Sequence, residues 1–302
     1  MKAPEQSHLV IVGAARNVGK TVGRQLCVFE KAFRLFERTS YVVVESDSAD
    51  NTVTGLARLK AASKSFDFIS LGALELECPL RTQRIARART AALEFCKSSP
   101  MLADADYVAV ADWDGVNLQL TEEAVRSCWE MGDWDAVTAN QPGGYYDIWA
   151  LRHETWCPGD CWEEYRKLSP EFGDEVAHQI AIAAKRIRIP KVCGVIDVDS
   201  AFGGLAIYKA SAFLGSHYDA PDEQGSEVCE HVGFHRRMKA EGARIIINPA
   251  LVNIQSIDDM LPWYSSRRIG SAFRRIVAGA KSGRSKRNDG TAGRLGKEQP
   301  IV

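Results

Sequence analysis

The sequence predicts an α/β protein built on one mostly parallel central sheet. Three observations carry that expectation. Short apolar runs alternate with amphipathic segments through the first 130 residues. The runs are rich in Val, Ile and Ala, as strands buried on both faces are. Polar clusters fall where the runs end, and open α/β sheets bind ligands outside the carboxyl ends of their strands.

Taken in order, HLVIVGA (8–14) reads as a buried strand. VGKTVGRQLCVFEKAFRLFER follows as an amphipathic helix, with Val22, Leu26, Phe29, Phe33 and Phe36 at helical spacing. YVVVES (41–46) is a second strand, TVTGLARLKAASK a second helix, and FDFISLG a short third strand. RTQRIARARTAALEFCKS (81–98) is a helix with a basic N-terminal half, and DYVAVAD (106–112) is another buried strand. Strand–helix alternation at this spacing means βαβ units. After about residue 130 the pattern changes. WDAVTANQ and YYDIWALR read as strands, and CPGDCWEEYRKLSPEFGDEVAHQIAIAAKR as loop and helix. VIDVDSAFGGLAIYKASAF reads as strand, Gly-Gly bend and strand. EVCEHVGFHRRMKAEG is a helix closed by Gly242, and ARIIINPALVNIQ a final strand.

The chain has 302 residues, 45% hydrophobic and 25% charged, as in an ordinary soluble globular protein. No apolar run reaches the roughly 18 residues of a membrane helix. The N-terminal text lacks the pattern of a signal peptide. The eight cysteines are scattered, and most sit in apolar or helical text as reduced thiols. A cytoplasmic location is expected. The net charge of −1 divides unevenly: from Ser265 onward ten Lys and Arg face two acids, a tail of +8 behind a body of −9. The expected organisation is one folded domain over 1–264, in two parts (1–130 and 131–264) that meet where the pattern changes. The basic tail over 265–302, partly helical or disordered, follows. In the tail, Ile269, Phe273, Ile276 and Val277 share a helical face ringed by Arg, which would suit peripheral docking on an anionic membrane. Nucleic acid is not an expected partner.

LVIVGAARNVGKTVG approaches a phosphate-binding P-loop. Five residues separate Gly13 from Gly19, where the motif has four. Three further clusters outweigh it. ESDSADNT (45–52) closes a strand with acids and hydroxyls, acceptors suited to sugar hydroxyls and base N–H groups. VAVADWDGVN (108–117) places Asp112 and Asp114 around Trp113 at a strand end, an oxygen donor set suited to Mg²⁺ or Mn²⁺. CEHVGFH (229–235) brings Glu230, His231 and His235 to a helix start. Without a second pair of ligands, zinc is disfavoured there, and Glu230 or His231 as general base or substrate contact is preferred.

These clusters, in this order, resemble those of GT-A glycosyltransferases, which use nucleotide-diphosphate sugars and have a single Rossmann-like domain. The resemblance spans roughly residues 8–256. Within that family, it is most similar to fungal capsule-associated mannosyltransferases and their bacterial relatives. It implies that Ala15, Arg16 and Asn17 border the nucleotide. Glu45 and Asp47 would hold the nucleoside, with Glu45, Ser46, Asp47, Ser48, Asp50 and Thr52 in the register of the family's D-D-G-S-x-D-x-T. Asp112, Trp113 and Asp114 match its D-x-D, with Asp112 at the nucleotide sugar and both Asp112 and Asp114 toward a divalent metal. Arg84, Arg87 and Arg89 are candidates facing the donor, Arg84 and Arg89 foremost. Gly203 and Gly204 match the Gly-Gly strand beside the sugar, and Glu230 the catalytic base of inverting members. Tyr146, Asp147, Trp149 and His231 would shape the sugar and acceptor sites. The family's third metal ligand, a His after the last strand, is absent; Asn253 and Gln255 stand in that region. Cys-Glu-His replaces the usual acidic pair, so retention competes with inversion.

The implied activity moves a hexose, a mannose among the candidates, from a UDP- or GDP-sugar to a glycan or lipid-linked glycan, with Mn²⁺ or Mg²⁺. The alternatives are a P-loop kinase or ATPase, and a catalytically inactive nucleotide-sugar binder. The first leaves the 45–52 cluster and the C-terminal half without a role.

Overall fold

The computed structural model describes residues 1–99, 102–218 and 227–254. The 265–302 tail and its expected membrane helix lie outside the described residues, as does Gln255. Eight strands form one sheet: β1 (His8–Ala15), β2 (Arg38–Glu45), β3 (Phe66–Ser70), β4 (Tyr107–Ala111), β5 (Ala136–Asn140), β6 (Ile196–Val198), β7 (Leu205–Lys209) and β8 (Ile245–Val252). Their order is β3-β2-β1-β4-β7-β5-β8-β6. The first four strands are mutually parallel, and β5 and β8 are parallel to each other. β7 runs antiparallel between β4 and β5, and β6 is an antiparallel edge beside β8. The mostly parallel α/β sheet expected from the sequence is therefore present.

The helices are α1 (Val22–Ala32), α2 (Thr52–Ala62), α3 (Arg81–Ser98), α4 (Glu122–Arg126), α5 (Cys161–Phe172), α6 (Asp174–Ala181), α7 (Ala210–Leu214) and α8 (Glu230–Ala240). α3 has the bounds read from the sequence. α1 is shorter than read, because the chain leaves the helix after Ala32 and turns to deliver Phe33 and Phe36 into the core. One core joins the sheet to α1 through Phe29, Phe33, Phe36, Tyr107, Trp113 and Trp134. Burial at about 25 cal/mol per Å² makes these large rings the main contributors to that layer.

Two readings need correction. YYDIWALR is not a strand; apart from one bridge between Arg152 and Ser200 it is a turn-rich segment. Tyr145, Ile148, Ala150 and Leu151 are all buried, so the apolar content reflects a packed loop rather than a pleated face. The single helix read after Cys157 is two, α5 and α6, broken at Gly173 with φ 79°. The end of α8 follows the expected glycine stop. Gly242, at φ 84°, donates to the Lys239 carbonyl, and Ala243 donates to that of Met238, a Schellman closure.

Candidate functional site

Strand direction gathers the polar clusters. The carboxyl ends of β1, β2, β4, β5 and β8 lie on one edge of the sheet, and antiparallel β7 brings its start there, with Gly203 and Gly204 just before it. The 15–19 and 46–52 loops are clasped together at this edge. The Asn17, Val18 and Gly19 amides donate to Ser48 Oγ, Thr52 Oγ1 and Asp50 Oδ2 at 3.0, 2.7 and 3.1 Å. Asn17 Oδ1 accepts in return from the Ala49 amide at 2.8 Å. A P-loop needs such amides turned toward a phosphate; here they are spent on the neighbouring loop. Lys20 is exposed.

Asn17 and Asp47 are the two non-glycine residues with positive φ among the described residues, at 55° and 56°. Such backbone is uncommon outside Gly, and Asn and Asp tolerate it best. It aims the Asn17 side chain into the clasp and that of Asp47 toward Glu75 and Arg84. Glu45, 2% exposed, accepts from the Ser48 amide and from Ser70 Oγ, so it braces the loop. Asp47 accepts from the Glu75 amide at 2.8 Å and lies 3.7 Å from the Arg84 guanidinium. Exposed Arg16 donates through Nε to the Asp47 carbonyl at 3.2 Å. Ala15 is buried and pairs in register with Glu45.

At the next strand end, Arg89 of α3 is buried between two acids from distant parts of the chain. Its Nε donates to Glu230 Oε1 at 2.7 Å and its Nη2 to Asp112 Oδ1 at 3.2 Å. Its guanidinium lies over the Phe202 ring, 4.9 Å from the centroid. Burial opposes the Arg89 charge, but Glu230 and Asp112 outweigh it and raise its pKa. Asp112 is pushed up, to about 7, by burial and by Asp114, Asp147 and Glu230 nearby, against the pull of Arg89. Burial also raises Asp147, whose Oδ2 accepts from the Gly203 amide at 3.0 Å. Asp114 Oδ1 accepts from the Val116 amide at 3.2 Å.

The Gly-Gly bend is fixed by buried amides. Asn117 Nδ2 donates to the Asp112 and Gly204 carbonyls, both at 2.9 Å. Asn253 Nδ2 donates to Asn117 Oδ1 and to the Gly203 carbonyl, and Gln141 Nε2 to the same carbonyl. A Cβ at Gly203 would lie 2.8 Å from the Ala139 carbonyl oxygen, and one at Gly204 2.6 Å from Val116 Cγ1. Both glycines also have positive φ, at 70° and 83°. Asn253, expected near a third metal ligand, is committed to this network.

Not every expected site residue shares the cluster. Trp113 is 0% exposed, with its indole edge-on to Phe29 and Phe66 in the core. Its place depends on Gly13, where a Cβ would lie 2.4 Å from Trp113 Cδ1. Asp112 and Trp113 alternate in direction, so the acid reaches Arg89 while the ring goes to α1. His231 is buried and stacks on Phe202 at 3.9 Å between centroids; its Nε2 is 3.7 Å from Glu230 Oε1. Both of its ring nitrogens are without a hydrogen bond among the described residues. Burial holds it neutral, with a pKa well below the ordinary value. His235 is tied to Ser200 Oγ and Tyr208 Oη, each at 2.9 Å. Burial lowers it to about 3. The pair forms a core face, not a zinc site. Trp149 donates through its indole to Asp160 at 3.1 Å, beside Arg152, while Tyr146 Oη sits near Gly204. Arg87 points away to Glu77. Phe202, Asn117 and Gln141 were not read from the sequence; their nearest signals are that Phe202 adjoins the Gly-Gly pair and Asn117 closes the segment holding Asp112 and Asp114.

Among the described residues no group of three or more His, Cys, Asp or Glu side chains is arranged to hold a metal ion. Asp112 and Asp114 nonetheless fit a hard divalent cation held by one or two carboxylates together with a ligand's phosphates. No helix among the described residues is long and apolar enough to cross a membrane.

Fold and site together describe a single-sheet α/β protein whose acidic cluster lies where such sheets bind ligands. No protein-family model matches the chain, and no curated protein does. Solved structures do. A mannosyltransferase, PcManGT from Pyrobaculum calidifontis in complex with GDP-Man and Mn²⁺, is 15% identical over 82% of this chain and 56% of its own, with TM-score 0.46. TarS residues 1–349 of S. aureus is 14% identical over 80% of this chain and 57% of its own, with TM-score 0.41. Glucosyl-3-phosphoglycerate synthase of Mycobacterium tuberculosis in complex with UDP is 14% identical over 78% of this chain and 65% of its own, with TM-score 0.37. This chain thus spans less than two thirds of each. All three TM-scores are below 0.5.

Proposed function

We propose that the protein transfers a sugar from a nucleotide-diphosphate donor to a hydroxyl of a glycan or lipid-linked glycan. The observation that carries this reading is the shared guanidinium of Arg89, which sets Asp112 at the end of β4 beside Glu230 at the start of α8. A donor-side acid and a candidate base are thereby held within reach of one ligand. Arg16, Asn17, Glu45 and Asp47 form the nucleoside side, with Arg84 backing Asp47. Asp112 and Asp114 would hold Mn²⁺ or Mg²⁺, which when bound neutralises charge on the departing diphosphate.

Glu230 Oε1 is fixed by Arg89, while among the described residues Oε2 has only the Cys229 thiol, at 3.8 Å. Oε2 is therefore the oxygen that takes the acceptor proton if the anomeric centre inverts. The Gly203 amide fixes Asp147 on the sugar side of the site.

Thermal-shift screening separates the classes. Stabilisation by UDP or GDP with Mn²⁺ supports transfer; stabilisation by ATP alone supports a kinase and overturns the proposal. Turnover of a donor panel then distinguishes an enzyme from an inactive binder. Glu230→Gln should lose at least about 100-fold in kcat, the scale of one positioned acid–base group, and Asp114→Ala should lose activity through its metal. Full activity in both variants would remove these assignments.

A further inference from the structure

Five of the eight large apolar side chains exposed among the described residues fall between 172 and 192: Phe172, Val176, Ile180, Ile187 and Val192. Val192 is 94% exposed. Val176 and Ile180 share one face of α6 at i, i+4 spacing, and Ile187 follows in the irregular segment after it; all three are exposed. From Val176 to Ile196 the chain carries Lys185, Arg186, Arg188 and Lys191 and no acid. Lys185 is paired with Glu164, but no carboxylate pairs with Arg186, Arg188 or Lys191 among the described residues. Exposed apolar side chains concentrated in one stretch are costly in water and mark an interaction surface, and the unpaired cations between them set its charge.

We propose that this surface docks the folded domain on an anionic lipid bilayer. The chemistry selects that occupant. Bulky aliphatic tips enter the headgroup boundary while Arg and Lys stay with anionic headgroups. A second copy of this surface would bring like charges together. The chain's own segment from Ser265 carries net charge +8 and would be repelled in the same way.

The surface is rigidly joined to the candidate site. The Tyr145 amide donates to the Ile187 carbonyl at 2.9 Å, and Asn140 Nδ2 to the Ile189 carbonyl at 3.0 Å. A Cβ at Gly144 would lie 2.4 Å from the Arg186 carbonyl oxygen, so the two segments are in close backbone contact. The same loop continues into Tyr146 and Asp147. If the transfer reading holds, docking here presents the acceptor side of the site to the membrane; the docking itself does not depend on that reading.

The test uses the full chain with vesicles of phosphatidylcholine alone or with phosphatidylglycerol. An environment-sensitive dye on exposed Cys193, in a Cys27→Ser, Cys78→Ser background, reports insertion at the surface itself; the remaining cysteines are buried. The dye should brighten with anionic vesicles and not with neutral ones. Arg186→Gln, Arg188→Gln, Lys191→Gln together should lower vesicle partitioning about a hundredfold, with melting temperature and oligomeric state unchanged. Undiminished partitioning of that variant, or a dye that stays in water while the protein pellets, would overturn the proposal and place docking elsewhere. A change of oligomeric state would point to a second copy and overturn it as well. Neither readout involves donor or turnover, so failure here is distinct from failure of the transfer reading.

Discussion

The sharpest contrasts at the residue scale lie in the first loop. Gly19-Lys20-Thr21 draws the eye, yet Gly19 gives its amide to Asp50 and Lys20 stands in solvent. Arg16 instead reaches across to the Asp47 carbonyl. Lys20→Ala should leave donor affinity within twofold. Arg16→Ala should weaken it about tenfold, the loss of one charge-assisted contact; calorimetric titration with UDP and GDP checks both. The histidines give a second residue-scale prediction. Folded His235 stays neutral down to about pH 3, against an ordinary value of 6.5. Between those values the unfolded chain binds the extra proton, so stability falls as pH falls through this window. The raised carboxyls of Asp112 and Asp147 act in the opposite direction, so a difference measurement is needed. From pH 7 to 5, His235→Gln should lose less melting temperature than the wild type; an equal loss would remove His235 from the acid response. The burial of both histidines was open to reading. His231, Phe234, His235 and Met238 follow i, i+3, i+4, i+7, the spacing of a core face. Trp113 was legible too, since strand alternation turns it away from Asp112.

Element boundaries set by local rules were readable: the Gly242 stop of α8, the bounds of α3 and the four parallel strands. Pairings that depend on distant elements were not. Arg84, Arg87 and Arg89 look alike along α3. Only the docking of α8 and β4 decides that Arg89 meets Glu230 and Asp112 while Arg87 faces Glu77. Removing that guanidinium leaves two acids short of a counter-charge. Arg89→Met should cost about 3–5 kcal/mol, as breaking buried ion pairs does. Replacing Glu230 by Gln as well should recover part of the loss; denaturant unfolding of both variants measures the coupling. The Gly-Gly bend makes a parallel case. Gly203→Ala brings a Cβ within 2.8 Å of the Ala139 carbonyl oxygen at φ 70°. Both the contact and the dihedral oppose it, so it should unfold at lower denaturant than Gly215→Ala, whose added Cβ meets nothing closer than 3.3 Å.

For the whole molecule, the sheet decides which clusters become neighbours. Crossing β7 antiparallel between β4 and β5 carries Gly203 and Gly204 to the edge where Asp112 already stands, and this crossover left no signal in the sequence. On the proposed function, the resulting crowd of acids would make metal and nucleotide binding depend on pH in a defined direction. Asp112 is raised to about 7 by burial and its acidic neighbours. A cation needs the carboxylate form, so protons compete with it and binding weakens as pH falls. At pH 6 about a tenth of such a group is ionised, an affinity loss of about tenfold. Ligand at about 100 times its Kd stabilises by about 2.7 kcal/mol, and a domain of this size gains about 2–4 °C per kcal/mol. UDP or GDP with Mn²⁺ should therefore raise the melting temperature by about 5–10 °C at pH 8 and by roughly half that at pH 6. Chelation should remove the metal-dependent part at both pH values. Asp114→Asn should abolish that part while sparing stabilisation by nucleotide alone. Equal metal-dependent shifts at pH 6 and pH 8, or an undiminished shift in Asp114→Asn, would show that the cation binds away from the end of β4.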